Sequence, residues 1–190
     1  MGAAGDMLMG ALYELCPDKE GFLRDMNRLL PGVTLTAESV TRQGIAGAHM
    51  RVVVHGREEG HHHHDHDHEH HHHHHRSLGD IREMIGGFDL PQAVRDRAME
   101  VYGRIAQAES AAHGVAVGEV HFHEVGALDA VMDVTGVCYL MHLLAPEAVW
   151  ASPVTVGSGT VRTAHGLLPV PAPATARLLE GAPVVSGDIA

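Results

Sequence analysis

Aromatic side chains are scarce: one Trp, three Tyr and three Phe make up 4% of the chain. A core built without them must rest on aliphatic and methionine side chains. Cysteine is almost missing as well. Cys16 and Cys138 stand far apart in apolar surroundings, which excludes a disulfide framework and leaves two buried thiols as the expectation. No apolar run reaches the length of a bilayer crossing, and no basic segment with an apolar follow-on opens the chain. The expectation is therefore a cytoplasmic protein with no membrane partner. Basic residues are outnumbered, 13 Lys and Arg against 24 Asp and Glu. The formal charge of −11 argues against a nucleic-acid partner. Below about pH 6.5 that charge shrinks, because it counts the histidines as neutral.

What is present is histidine, 19 residues in 190. Twelve fall in one stretch: His61, His62, His63, His64, His66, His68, His70, His71, His72, His73, His74 and His75, interrupted by Asp65, Asp67 and Glu69. Nothing there can build a core, so residues 57–76 are expected to be a disordered histidine-rich loop. Neutral imidazole is a good ligand for Ni, Cu and Zn, and the carboxylates add attraction for cations. Such an array suits collection and delivery of a metal. Catalysis needs fixed geometry.

Fixed geometry is expected at Val120–Val134. Read as a strand, its first part puts His121 and His123 on one face and Phe122 on the other. Two imidazoles roughly 7 Å apart along a strand can converge on one ion. Gly126 breaks the strand, and an apolar helix from Ala127 to Leu144 follows. Asp129 and Asp133, four apart, stack on one face of that helix. A carboxylate on so apolar a surface calls for a partner or a cation. His121, His123, Asp129 and Asp133 are therefore the candidate metal ligands, as an N/O set for a divalent transition metal. Glu124, pointing away from the histidines, is a candidate base. A structural polar cluster, with Asp129 answering the helix dipole, is the competing reading.

Elsewhere, Asp6 is expected to cap a helix over Met7–Leu15, with Gly5 and Asp6 as candidate ligand contacts at its start. A second helix runs from Asp18 or Lys19 to Leu30. Val33–Arg42 and Ile45–His55 read as a hairpin around Gln43-Gly44. Ser77 and Asp80 form a capping box for a helix to Gly86, and Pro91–Ala112 is amphipathic. A strand is expected over Val149–Val156, then Gly157-Ser158-Gly159 as a turn or anion nest, and a strand over Thr160–Thr163. His165, in a glycine-flanked loop, is a candidate catalytic residue. Alternating prolines at 169, 171 and 173 precede a helix over Ala174–Glu180, and Ala182–Val185 is a last strand. The fold class is α/β, a mixed sheet with packed helices. Its domain is divided as residues 1–56, the loop 57–76, and residues 77–190.

Gly5-Asp6-Met7, the histidine-rich insertion, Val120-His121-Phe122-His123-Glu124-Val125-Gly126, Asp129 with Asp133, Gly157-Ser158-Gly159 and Ala164–Thr175 together resemble the LarC family. These are nickel-insertion proteins for the nickel-pincer nucleotide cofactor of lactate racemase. The likeness spans nearly the whole chain. It implies a nickel chelatase, a lyase-class cyclometallase, that inserts Ni(2+) into pyridinium-3,5-bisthiocarboxylic acid mononucleotide, forming carbon–nickel and sulfur–nickel bonds. In the family the reaction is coupled to CTP hydrolysis with Mn(2+) or Mg(2+). On that reading His121, His123 and an aspartate hold nickel, Glu124, Asp129 and His165 are catalytic, and Gly5, Asp6, Gly157, Ser158 and Gly159 contact the nucleotide. Two departures stand out. Family members open with a strand and an acidic-aromatic-glycine segment before Gly-Asp-Met, whereas Met1 here falls inside that loop. They also continue into a C-terminal region associated with nucleotide binding and oligomer assembly. The resemblance thus implies the N-terminal part of a longer protein, homo-oligomeric when full length, with that C-terminal region and lactate racemase or related apo-enzymes as partners. A nickel storage protein or metallochaperone without chemistry, and a metal-dependent hydrolase, are the rival readings.

Overall fold

The computed structural model describes residues 4–58, 76–122, 125–163 and 166–187. The twelve clustered histidines, His123, Glu124 and His165 lie outside the described residues.

The chain begins with α1, Gly5–Leu15, and α2, Lys19–Met26. Asp18 caps α2, its carboxylate accepting from the Gly21 amide at 2.8 Å. The expected run to Leu30 stops at Met26 because Asn27 turns its amide side chain elsewhere. The Asn27 side chain donates to the Leu23 and Leu35 carbonyls at 2.8 and 2.9 Å, and accepts from the Leu35 amide at 2.7 Å. One side chain thus closes the helix and pins the strand that follows.

That strand, β1 (Val33–Arg42), pairs antiparallel with β2 (Ile45–Val54) in full register from Val33–Val54 to Arg42–Ile45. Gln43 and Gly44 both take left-handed backbone angles at the tip, as a two-residue hairpin requires. β3 (Arg57–Glu58) adds to the β2 edge. Only the base of the hairpin is covered: Val33, Leu35, Met50, Val52 and Val54 are buried, while Ile45 at the tip is 76% exposed.

β4 (Arg76–Ser77) leads into α3 (Leu78–Gly86). The expected capping box is there: Ser77 Oγ accepts from the Asp80 amide, and Asp80 Oδ2 accepts from the Ser77 amide at 2.7 Å. α4 (Gln92–His113) ends at Gly114 in the left-handed region, where glycine costs least. A short 3-10 turn at Val117–Glu119 precedes β5 (His121–Phe122), which pairs antiparallel with β4.

α5 (Leu128–Leu144) is the centre of the fold. Its buried residues point several ways around the axis: Val131, Met132, Thr135, Cys138 and Leu140. This is the signature of a helix surrounded by other elements. It packs against α1, α2, α4 and β2. The core is aliphatic and Met-rich, as composition requires, with Met9, Met26, Met50 and Met132 at 0–2% exposure. Cys16 and Cys138 are buried free thiols.

After α5 come β6 (Val154–Val156), β7 (Thr160–Thr163), β8 (Gly166–Pro169), α6 (Pro173–Leu178) and β9 (Val184–Ser186). β6 and β9 pair in parallel, and β7 and β8 form a hairpin. The strand expected from Val149 starts only at Val154, since Val149 and Trp150, 71% and 93% exposed, have no ladder to join. Helices and strands are mixed, as an α/β chain should be. The described strands are divided among four small sheets where one mixed sheet was expected. No helix among the described residues is long and apolar enough to cross a membrane.

Candidate functional site

Two helix N-termini meet at one carboxylate. A Cβ built on Gly5, the first residue of α1, would lie 2.7 Å from both Cβ and Oδ2 of Asp133. No side chain larger than hydrogen fits there, so this glycine serves close approach. Asp133 sits one turn inside α5, beneath the N-terminal turn that carries Asp129. The Asp6 amide donates to the Asp133 carboxylate. Asp129 accepts from the amide of Ala130 at 2.7 Å. The positive ends of two helix dipoles thus face a group of three carboxylates.

Three anions this close resist full ionisation. Burial first, then the charges of Asp6 and Asp129, push Asp133 up to about 7, against the relief given by the Asp6 amide. Asp133 is therefore a carboxyl group that takes or loses its proton near neutrality, or yields it to a cation.

Asp6 itself is not the helix cap that its sequence position suggested. Ala4 takes the N-cap position with no side-chain hydrogen bond, and α1 begins at Gly5. The Asp6 backbone amide serves Asp133, and its side chain lies in the first turn of α1.

The turn between β5 and α5 is held from two sides. Tyr102 on α4, fully buried, donates its hydroxyl to the Val125 carbonyl at 3.0 Å. Arg76, the first residue after the histidine tract, donates from Nη1 to the Gly126 carbonyl at 2.6 Å. A Cβ on Gly126 would lie 2.8 Å from Phe122 Cβ and 2.9 Å from the Phe122 carbonyl oxygen, so the turn closes only on glycine. Burial, then the charges of Asp129 and Asp133, raise the Tyr102 pKa far above its ordinary value. Its hydroxyl is thus a permanent donor. Neither residue was singled out from sequence; both act across 23 or more residues of chain, and no local pattern announces such a contact.

Phe122 is buried and His121 is exposed, in line with strand alternation. His121 stands opposite Ser77 in the β4–β5 ladder. The Asp80 carboxyl is held below its ordinary value, first by the Ser77 hydrogen bonds and to a lesser extent by His121 and Arg76. The described structure thus brings Asp129 and Asp133 together with Asp6, and sets His121 near Asp80. Among the described residues no group of three or more His, Cys, Asp or Glu side chains could hold a metal ion. Gly157, half-buried, and the exposed Ser158 and Gly159 form the connection between β6 and β7, with Gly159 left-handed and its carbonyl accepting from the Val170 amide at 3.0 Å.

The family model for "Nickel insertion protein" matches residues 1–190. A relative from Geotalea daltonii is 44% identical over 186 residues, covering 96% of this chain and 44% of its own length. The pyridinium-3,5-bisthiocarboxylic acid mononucleotide nickel insertion protein of Desulfitobacterium hafniense is 41% identical over 189 residues, 99% of this chain and 43% of that protein. The protein of the same name from a Nocardioides species is 43% identical over 187 residues, 98% of this chain and 44% of that one. The chain therefore spans less than half the length of these relatives. No solved structure matches it. Matched along its whole length by the family model and by relatives above 40% identity, the chain belongs to the nickel insertion protein family.

Proposed function

We propose that this chain is the nickel-handling part of an enzyme that inserts Ni(2+) into pyridinium-3,5-bisthiocarboxylic acid mononucleotide, giving the nickel-pincer cofactor used by lactate racemase. Family membership supports the reaction class. The observation that carries the site is Asp133, half-buried beside Asp6 and Asp129 where two helices begin and pushed up to about 7.

Nickel is substrate here. His61 to His75 gather it at many weak sites and raise its local concentration. The tract rejoins the fold at Arg76, which pairs with Phe122 next to His121, so the collected ion is released beside the proposed ligands. His121, His123, Asp129 and Asp133 then hold the ion for transfer to the sulfurs and carbon of the nucleotide. Asp133 suits the exchange, since arrival of a dication displaces the proton that desolvation and then its acidic neighbours keep on it. Glu124 accepts the proton lost from the metallated ring carbon, with His165 as a second acid–base group. Gly5 and Asp6, at the start of α1, and the Gly157-Ser158-Gly159 turn contact the nucleotide. CTP and its Mn(2+) or Mg(2+) are expected of the longer family chains, and no step runs through them. The division into residues 1–56, 57–76 and 77–190, assembly into a homo-oligomer, transfer of product to apo-enzymes and a cytoplasmic location belong to the same proposal.

The test combines the nucleotide, CTP, Mn(2+) and Ni(2+) with this chain and, in parallel, with the full-length Desulfitobacterium hafniense relative, and weighs the product by mass spectrometry. The nickel-bound mass should appear with the full-length protein and vanish on Asp133→Asn or paired alanines at the His121 and His123 positions. Undiminished product in those variants overturns the site. A storage role is favoured by the histidine tract alone. It predicts nickel binding that disappears with residues 61–75 and ignores Asp133.

A further inference from the structure

Every buried residue among the described ones lies between Met9 and Leu140; from residue 141 to 187 there is none. Yet this segment is not polar. Val149, Trp150, Leu167 and Val184 are 71%, 93%, 66% and 48% exposed.

Its architecture is unfinished in a specific way. β6 and β9 form a parallel pair with no further strand beside either among the described residues, so both edges present backbone groups unpaired by any described strand. Parallel sheets occur with both faces covered, and two strands alone are too few to be stable in water. Val184 and Val185 are neighbours on β9 and so point to opposite faces, and both are about half exposed. Both faces therefore lack cover. Open apolar edges of this kind are what natural proteins pair or cover. The relatives carry more than half of their length outside the stretch that this chain matches.

We infer that residues 149–156 and 184–187 are a docking surface for that remaining part of the family's chain, which extends the β6–β9 sheet at its open edges and covers Trp150, Val154, Val184 and Val185. The surface takes aliphatic strands in register with the ladder, and none of its residues belongs to the Asp133 cluster, so its role is assembly. The inference rests on family membership and the uncovered sheet, and stands whether or not nickel is inserted at Asp133.

Trp150 is the sole tryptophan, so its emission reports this surface without labelling. The experiment compares the 190-residue chain alone with the same chain joined to the unmatched part of the Desulfitobacterium hafniense relative. Joining should shift Trp150 emission to the blue and slow amide exchange at residues 154–156 and 184–186 by tenfold or more. Val154→Lys with Val185→Lys should reverse both changes while leaving the circular dichroism of the chain alone intact. As a second measurement, the full-length relative should show slow exchange at the strands aligned with β6 and β9, and lose it when cut back to the matched stretch. Water-exposed Trp150 and unchanged exchange in the joined chain, or no loss on trimming the relative, overturn the inference. So does a blue shift that the chain alone develops with rising concentration, which would make a second copy the occupant.

Discussion

Residues 4–144 and residues 145–187 solve the same folding problem to different degrees. The first region buries Met9, Phe22, Met26, Phe122, Met132 and Leu140 around α5 almost completely. The second forms strands and a helix with sound backbone hydrogen bonds and packs α6 against α4, yet fully buries none of its described residues. Secondary structure is therefore not a measure of stability in this chain. What separates the regions is side-chain burial, the dominant favourable term in folding.

Substitutions should expose that contrast. Phe122→Ala removes a ring at 1% exposure that also backs the Gly126 turn, and should cost about 3–5 kcal/mol in urea unfolding followed by circular dichroism. Gly5→Ala places a methyl against Asp133 and should cost about 1–3 kcal/mol. Asp133→Ala should not fully relieve that cost, because the Asp133 Cβ, itself 2.7 Å from the added methyl, is retained. Tyr102→Phe strips the Val125 carbonyl of its donor at about 1 kcal/mol. By contrast Val184→Ala, in the uncovered region, should stay within about 0.5 kcal/mol. A large loss there would mean that residues 145–187 have a core of their own.

Acidity sharpens the comparison further. The folded pKa of Asp133, about 7, lies above its ordinary 3.8. The native state therefore keeps a proton that the unfolded chain gives up. The native preference is complete below the ordinary value and is lost as pH rises toward 7. In Asp133→Asn the melting temperature should fall less between pH 4 and about pH 7 than in the parent chain. Parallel melting curves would show that the aspartate titrates normally.

Much of the first region was legible. Alternating β-branched residues around Gln43-Gly44 specified the hairpin and its register, Ser77 and Asp80 specified a capping box, and the apolar run after Gly126 specified α5 to the residue at its C-terminal end. The pairing of Asp129 with Asp133 on one helical face was also readable. That Asp6 joins them was not, because local pattern favoured a cap, whereas tertiary packing brings the start of α1 against α5. The early end of α2 had the same origin, a side chain of Asn27 bonded to a strand eight residues on. The second region was harder to read, since Val149–Val156 has strand composition throughout but finds a partner strand only from Val154. Propensity describes what a segment can form, and the neighbour decides where it forms.

The central proposal is that Asp133, as a ligand together with His121, His123 and Asp129, receives nickel by giving up a proton. The direct test is calorimetric and potentiometric titration of Ni(2+) into the chain lacking residues 61–75, at about pH 6, where Asp133 is still largely protonated. The account predicts that Asp133→Asn lowers the number of protons released per nickel bound and removes most of the affinity. Equal proton release and equal affinity in the two proteins would contradict it.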